Sequence, residues 1–315
     1  MWKQQHQVHW MPDEVPMAGD ISDWKDKLTD AERGLLTQIF RFFTQADVEV
    51  GDCYHRHYLN VFQPTEVKMM LTAFSDMETI HMAAYSHLLD SLKMPEDTYR
   101  QFLDYEVMVE KYDYMQGFRH DDPLSVAETM AVFAGFTEGL QLFASFAILL
   151  NFPRHNKMKG MGQIIAWSVR DESLHCEGVS KLFRTWVEEK LDARDCERLK
   201  ARIYEHLEHI IHIEDKFIDL AFSGGEIDGL TPQEVKDYIR YIANMRLQQL
   251  SVPGLLQLEP VYPVFENPIP WIVEQLNGLE FVNFFENRAT DYAKGATRGE
   301  WHDVWDDVDG AKAAE

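Results

Sequence analysis

The chain has 315 residues, 45% of them hydrophobic and 26% charged, which excludes a disordered or membrane-embedded polypeptide and provides enough apolar surface for a sizeable core. Its 53 Asp and Glu against 30 Lys and Arg leave a formal charge of −23, so the surface repels nucleic acid and anionic lipid. Cys53, Cys176 and Cys196 are an odd, widely spaced set with no CxxC pair, which excludes a disulfide framework and a thiolate zinc site and predicts a cytoplasmic protein.

In chain order, the N-terminus MWKQQHQVHW lacks an apolar stretch of the secretory kind, and residues 1–25 read as an extension carrying Trp10. Helical apolar spacing then predicts helices over roughly 30–61, 64–92, 96–116, 125–151, 158–188, 191–222, 231–251 and 278–295. Breaks fall at Gln63-Pro64, Met94-Pro95, Asp122-Pro123, Phe152-Pro153, Gly224-Gly225 and the proline-rich stretch 260–270. Ala131 to Leu150 is apolar enough to suggest a membrane span, but it carries Glu138 near its middle, so it reads as a helix buried inside protein. The prediction is an all-α bundle with additional helices packed on it, spanning residues 26–295 as one domain. Residues 296–315, acidic with two tryptophans, read as a flexible tail.

The chemistry lies in a short pattern that occurs twice, Glu78-Thr-Ile-His81 and Glu172-Ser-Leu-His175. Residues three apart share a helix face, so each pair can aim a carboxylate and an imidazole at one point. A single pair of this kind is usually a solvated face. Here Leu71, Phe74, Glu78, His81, Tyr85 and Leu88 fall on one stripe, and Ile165, Ser168, Glu172, His175 and Val179 on another, so both pairs point inward. Two more stripes each carry one acid: Asp47 among Phe40, Phe43, Val50 and Tyr54, and Glu138 within the run 131–150. Buried carboxylates need compensation, and no basic residue lies on these four stripes, so the six side chains predict a pair of divalent cations. One acid from each of two helices and a Glu-x-x-His from each of two others is the known ferritin-like dinuclear arrangement, and its oxygen-rich ligation suits iron or manganese.

Around that set the sequence resembles the small, radical-generating (β) subunit of class I ribonucleotide reductase, from about Trp10 to Tyr292. The resemblance is carried by Trp10-Met-Pro-Asp-Glu-Val, Ser75-Asp-Met-Glu-Thr-Ile-His81 with Tyr85 one turn on, Glu138-Gly-Leu-Gln-Leu-Phe-Ala-Ser-Phe146, Arg170-Asp-Glu-Ser-Leu-His175 and Asn283-Phe-Phe-Glu-Asn-Arg288. It implies that Asp47, Glu78, His81, Glu138, Glu172 and His175 hold two iron ions, or two manganese ions or a mixed pair, with an O₂-derived bridging oxygen. It implies that Tyr85 is oxidised to a stored radical and that His81, Asp171 and Trp10 carry the oxidising equivalent away. It further implies a homodimer that docks its C-terminal tail on the large (α) subunit, where ribonucleotides are reduced; neither nucleic acid nor membrane is a partner.

Two departures stand out. Ser168 is a polar neighbour where the family's tyrosine pocket is apolar, and no tyrosine follows Tyr292, so Trp301 and Trp305 read as docking anchors. Two other readings of the same fold are a ligand-binding dinuclear oxidase and a non-catalytic iron-handling metalloprotein. The latter would make Tyr85 and Trp10 incidental.

Overall fold

The computed structural model describes residues 1–95, 105, 109–110 and 119–277, without the side chains of 44–50. Residues Met1–Ile272 form one compact unit; Val273–Glu315 form a second, of which only 273–277 are described. The helix predicted at 278–295 and the tail therefore lie outside the described residues, as does most of that at 96–116.

Among the described residues the architecture is helical, with α1 at Trp2–Gln7, α2 at Ala18–Asp26, α3 at Asp30–Cys53 and α4 at Thr65–Ser91. Next come α5 at Pro123–Arg154, α6 at Lys159–Lys190, α7 at Ala193–Ala221 and α8 at Pro232–Leu250. The long helices begin where the sequence supplies caps. Thr29 and Glu32 form a reciprocal capping box at α3, Thr231 and Glu234 another at α8, and Asp122 caps α5 ahead of Pro123. Helix α5 is long and apolar enough to cross a membrane, but its apolar stretch is entirely buried inside the protein, so it is the core helix that Glu138 within that stretch implied. Pro153 lies inside the last turn of α5 rather than ending it at Phe152, so the helix runs on to Arg154, past the expected break.

Helix α6 starts from a backbone that needs holding. Met158 sits in the left-handed region at φ +52°, which costs a residue with a side chain. Two acids of α2 fix it: Asp23 accepts the Met158 N–H at 2.9 Å, and Asp20 accepts those of Gly160 and Met161 at 2.8 and 2.7 Å. The segment expected to be a plain N-terminal extension thus contains a helix that caps another one. Further along, a Cβ on Gly178 would lie 2.8 Å from the Phe74 ring, so only glycine lets α6 approach α4 this closely one turn past His175.

Two segments depart from α geometry, five residues at Tyr54–Tyr58 after α3 and eleven at Ala131–Gln141 within α5, both with the wider π winding. Such turns are rare and concentrate at functional sites. The longer one is braced from outside, because Cys176 Sγ donates to the Ala134 carbonyl at 3.1 Å and Arg246 Nε to that of Gly139 at 2.9 Å. At Gly139 a Cβ would stand 2.6 Å from Arg246 Nε, so the glycine admits the guanidinium.

Candidate metal centre

Four helices deliver the predicted residues, and five of those residues have described side chains. Glu78 and His81 come from α4, Glu138 from the π segment of α5, and Glu172 and His175 from α6; all are at most 2% exposed. One ligand atom from each of Glu78, Glu138, Glu172 and His175 lies within 4.8 Å of the others. His81 joins them, its Nδ1 being 3.4 Å from Glu78 Oε2 and 3.2 Å from Glu172 Oε1. Asp47 belongs to α3, but its side chain lies outside the described residues.

The two carboxylates of the Glu-x-x-His pairs each reach both imidazoles. Glu78 Oε1 is 3.0 Å from His175 Nδ1, and Glu172 Oε2 is 3.4 Å from it, while their other oxygens face His81. Glu138 stands on the His175 side only, with Oε1 at 3.9 Å from Nδ1. Glu78 and Glu172 thus stand between the two imidazoles, and the cluster could hold two cations. Both Glu78 oxygens, Glu138 Oε2, Glu172 Oε2 and His175 Nδ1 are buried without a hydrogen bond. Acceptors turned on one another this way are costly unless cations lie among them, so the residues fit a dinuclear metal.

The proton distribution without cations follows the same logic. Burial would raise the Glu78 carboxyl, but the flanking His81 and His175 outweigh it and hold it at about 2. Glu138 has no such relief: burial, reinforced by the negative charge of Glu172, pushes it up to about 8. Burial would depress both imidazoles, yet Glu172 and Glu78 raise His175 to about 10, and Glu78 with Asp171 raises His81 well above its ordinary value. Protons thus stand in for positive charge.

Away from the centre, His81 Nε2 lies 3.3 Å from Asp171 Oδ2, and the indole N–H of Trp10 donates to that same oxygen at 2.8 Å. Were Nδ1 to give up its proton for a cation, Nε2 would keep its own and donate it to Asp171, which fixes the ring's orientation. Gln5 and Arg170 donate to Asp171 Oδ1 at 3.3 Å, and Trp10, only 2% exposed, packs on Trp167 with ring centroids 5.0 Å apart. The three residues predicted to act in series are therefore in contact. Tyr85, 2% exposed, stacks on Phe43 at 4.6 Å, and its hydroxyl is 3.4 Å from Ser168 Oγ, the polar neighbour the sequence flagged.

Sequence reasoning missed one residue of the centre. Tyr54, 1% exposed, donates from its hydroxyl to Glu138 Oε1 at 2.6 Å. The signal was present, since Tyr54 falls on the same apolar stripe of α3 as Asp47, but the π turn that aims it has no periodic signature.

The fold and this cluster define a ferritin-like helical protein with a carboxylate and histidine centre able to take a dinuclear metal. A model of the family described as "Ribonucleotide reductase, small chain" matches residues 1–268. The chain is 42% identical to the "Probable ribonucleoside-diphosphate reductase small subunit 376L" of Invertebrate iridescent virus 6, over 96% of this chain and 93% of that one. In fold it is similar to the ribonucleotide reductase R2 subunit from Clostridium botulinum, with TM-score 0.75 and 21% identity over 87% of this chain and 86% of that one. It is similar also to the dimanganese(II)-NrdF of Streptococcus sanguinis, with TM-score 0.74 and 20% identity over 87% and 93%. The chain belongs to the ribonucleotide reductase small-chain family; it is a ribonucleoside-diphosphate reductase small subunit, which works with the large subunit.

Proposed function

We propose that Asp47, Glu78, His81, Glu138, Glu172 and His175 hold two iron ions, with two manganese ions or a mixed pair as the other candidates, and that Tyr85 is the residue oxidised to a stored radical. When bound, the metal pair supplies one-electron oxidising power drawn from O₂. The chain's own residues determine what is done with it. Tyr85 lies one helical turn beyond His81, buried against Phe43 with Ser168 as the polar neighbour of its hydroxyl, and this burial shields an oxidised phenol from bulk water. His81, Asp171 and Trp10 form a buried hydrogen-bonded series leading away from the centre, and we assign to it the transfer of the oxidising equivalent toward the large subunit. The tail 296–315, following the helical domain 26–295 and the Trp10-bearing segment 1–25, docks on that partner in a cytoplasmic homodimer.

The observation that carries this reading is the shared Asp171 oxygen linking a candidate metal-binding imidazole to an indole. Neither an iron-handling protein nor an oxidase acting on a ligand in its own cavity requires that link. After reconstitution with Fe(II) and O₂, electron paramagnetic resonance of the wild type is expected to show a tyrosyl doublet that Tyr85→Phe abolishes. Trp10→Phe is expected to keep the doublet and lose turnover with the large subunit. A doublet that survives in Tyr85→Phe, or full turnover in Trp10→Phe, overturns the assignment.

A further inference from the structure

Glu138 has one oxygen already engaged by a residue outside the candidate ligand set. The Tyr54 hydroxyl holds Oε1 at 2.6 Å, while Oε2 is buried with no hydrogen bond. Both groups come from π-wound segments, Tyr54 from Tyr54–Tyr58 and Glu138 from Ala131–Gln141. This hydrogen bond ties the two departures from α geometry together across the bundle, 84 residues apart in sequence. Tyr54 is itself locked: its ring meets Tyr58, Phe74 and His175 edge-on, at centroid distances of 5.6, 6.3 and 6.2 Å. A phenol held on three sides has one direction in which to donate, and that direction is Glu138.

We infer that Tyr54 is a positioning residue, which by donating to Oε1 fixes the Glu138 carboxylate beside His175 and leaves Oε2, buried with no hydrogen bond, as the oxygen free for a cation. The inference rests on the metal-centre reading above. Glu78 and Glu172, whose oxygens are split between the two imidazoles, are fixed by that sharing; Glu138 reaches only one imidazole, through the same Oε1 that Tyr54 holds, and is free to pivot unless that oxygen is anchored. A hydrogen bond from a group outside the coordination sphere does this for many metal ligands, and its loss typically weakens metal binding by about 10–100-fold.

Cobalt(II) titration of the full chain, followed in the visible region, separates this inference from the reading beneath it. Wild type is expected to take up two Co(II) per chain; failure to do so refutes the metal centre itself. Tyr54→Phe, which removes one oxygen and keeps the ring, is expected to bind Co(II) about 10–100-fold more weakly at one position, with altered d–d bands as Glu138 becomes free to use both oxygens. Tyr58→Phe, which also deletes a buried phenol hydroxyl, is expected to keep the wild-type spectrum. Identical spectra and affinities for Tyr54→Phe and wild type overturn the role. As a reading that deletes nothing, a 3-fluorotyrosine placed at position 54 is expected to shift its ¹⁹F resonance on loading with Zn(II), and the same label at position 58 to shift less. An unmoved resonance at position 54 overturns the role whether or not Tyr54→Phe folds.

Discussion

Metal uptake must displace the protons that balance the centre without cations, and their number is set by the residues described above. At pH 7 His81, His175 and Glu138 each carry one, because the first is raised well above neutrality, the second is held at about 10 and the third at about 8. None of the three binds a cation through a protonated atom, so loading with Mn(II) is expected to release about three protons per chain at pH 7. Near pH 9 Glu138 has already lost its proton, and the release falls to about two. Isothermal titration calorimetry in buffers of different ionisation enthalpy reads these numbers directly from the slope of heat against buffer enthalpy. A release near zero at pH 7, or one that does not fall between pH 7 and pH 9, would refute the assignment of the charge balance.

The same shifts predict that the metal-free protein loses thermal stability as pH rises from about 7 to about 10. There the folded state holds protons on its histidines that the unfolded chain, at its ordinary 6.5, has released. Glu138 acts in the same direction between 4.5 and about 8, whereas Glu78 stabilises above 4.5 and loses that effect as pH falls toward about 2. A melting temperature that rises between pH 7 and pH 10 would contradict this. Gly178→Val forces a side chain into the Phe74 ring and is expected to cost about 1–3 kcal/mol, read from chemical denaturation, and to weaken metal uptake by spreading α4 from α6. Asp20→Ala leaves the buried N–H groups of Gly160 and Met161 without their acceptor, at about 1–3 kcal/mol each; an unchanged denaturation midpoint would show that α2 does not hold the start of α6.

The helices that carry the centre were legible because their signals are periodic: the stripes through Glu78 and Glu172 stand at the spacing of an α-helix, Glu138 stands out as the acid of an apolar run, and caps such as Thr29 with Glu32 mark helix starts. Buried acids on those stripes were informative because burial of a charge demands a partner. What could not be read was whatever depends on distant chain or irregular winding. Asp20 and Asp23 look like ordinary surface acids until α6 is laid against them, and nothing local reveals that α1 and α2 form. The extra residue of a π turn changes where a side chain points without changing composition, which is why Tyr54 passed as one more aromatic on a stripe. Gly139 and Gly178 would likewise look like helix-weakening defects without Arg246 and Phe74 beside them.

Sulfur stands next to this centre in the chain, Cys176 directly after His175 and Cys53 directly before Tyr54, both unpaired and buried. As thiolates they would draw zinc or copper(I) in preference to the intended cation and would be early casualties of any oxidant made nearby. Burial pushes the Cys176 thiol up to about 12 and the Cys53 thiol well above its usual range. Cys176 uses its S–H to hold the Ala134 carbonyl instead. Burial thus keeps a soft, reactive atom neutral, and the proton it retains is the one that braces the winding of the Glu138 helix.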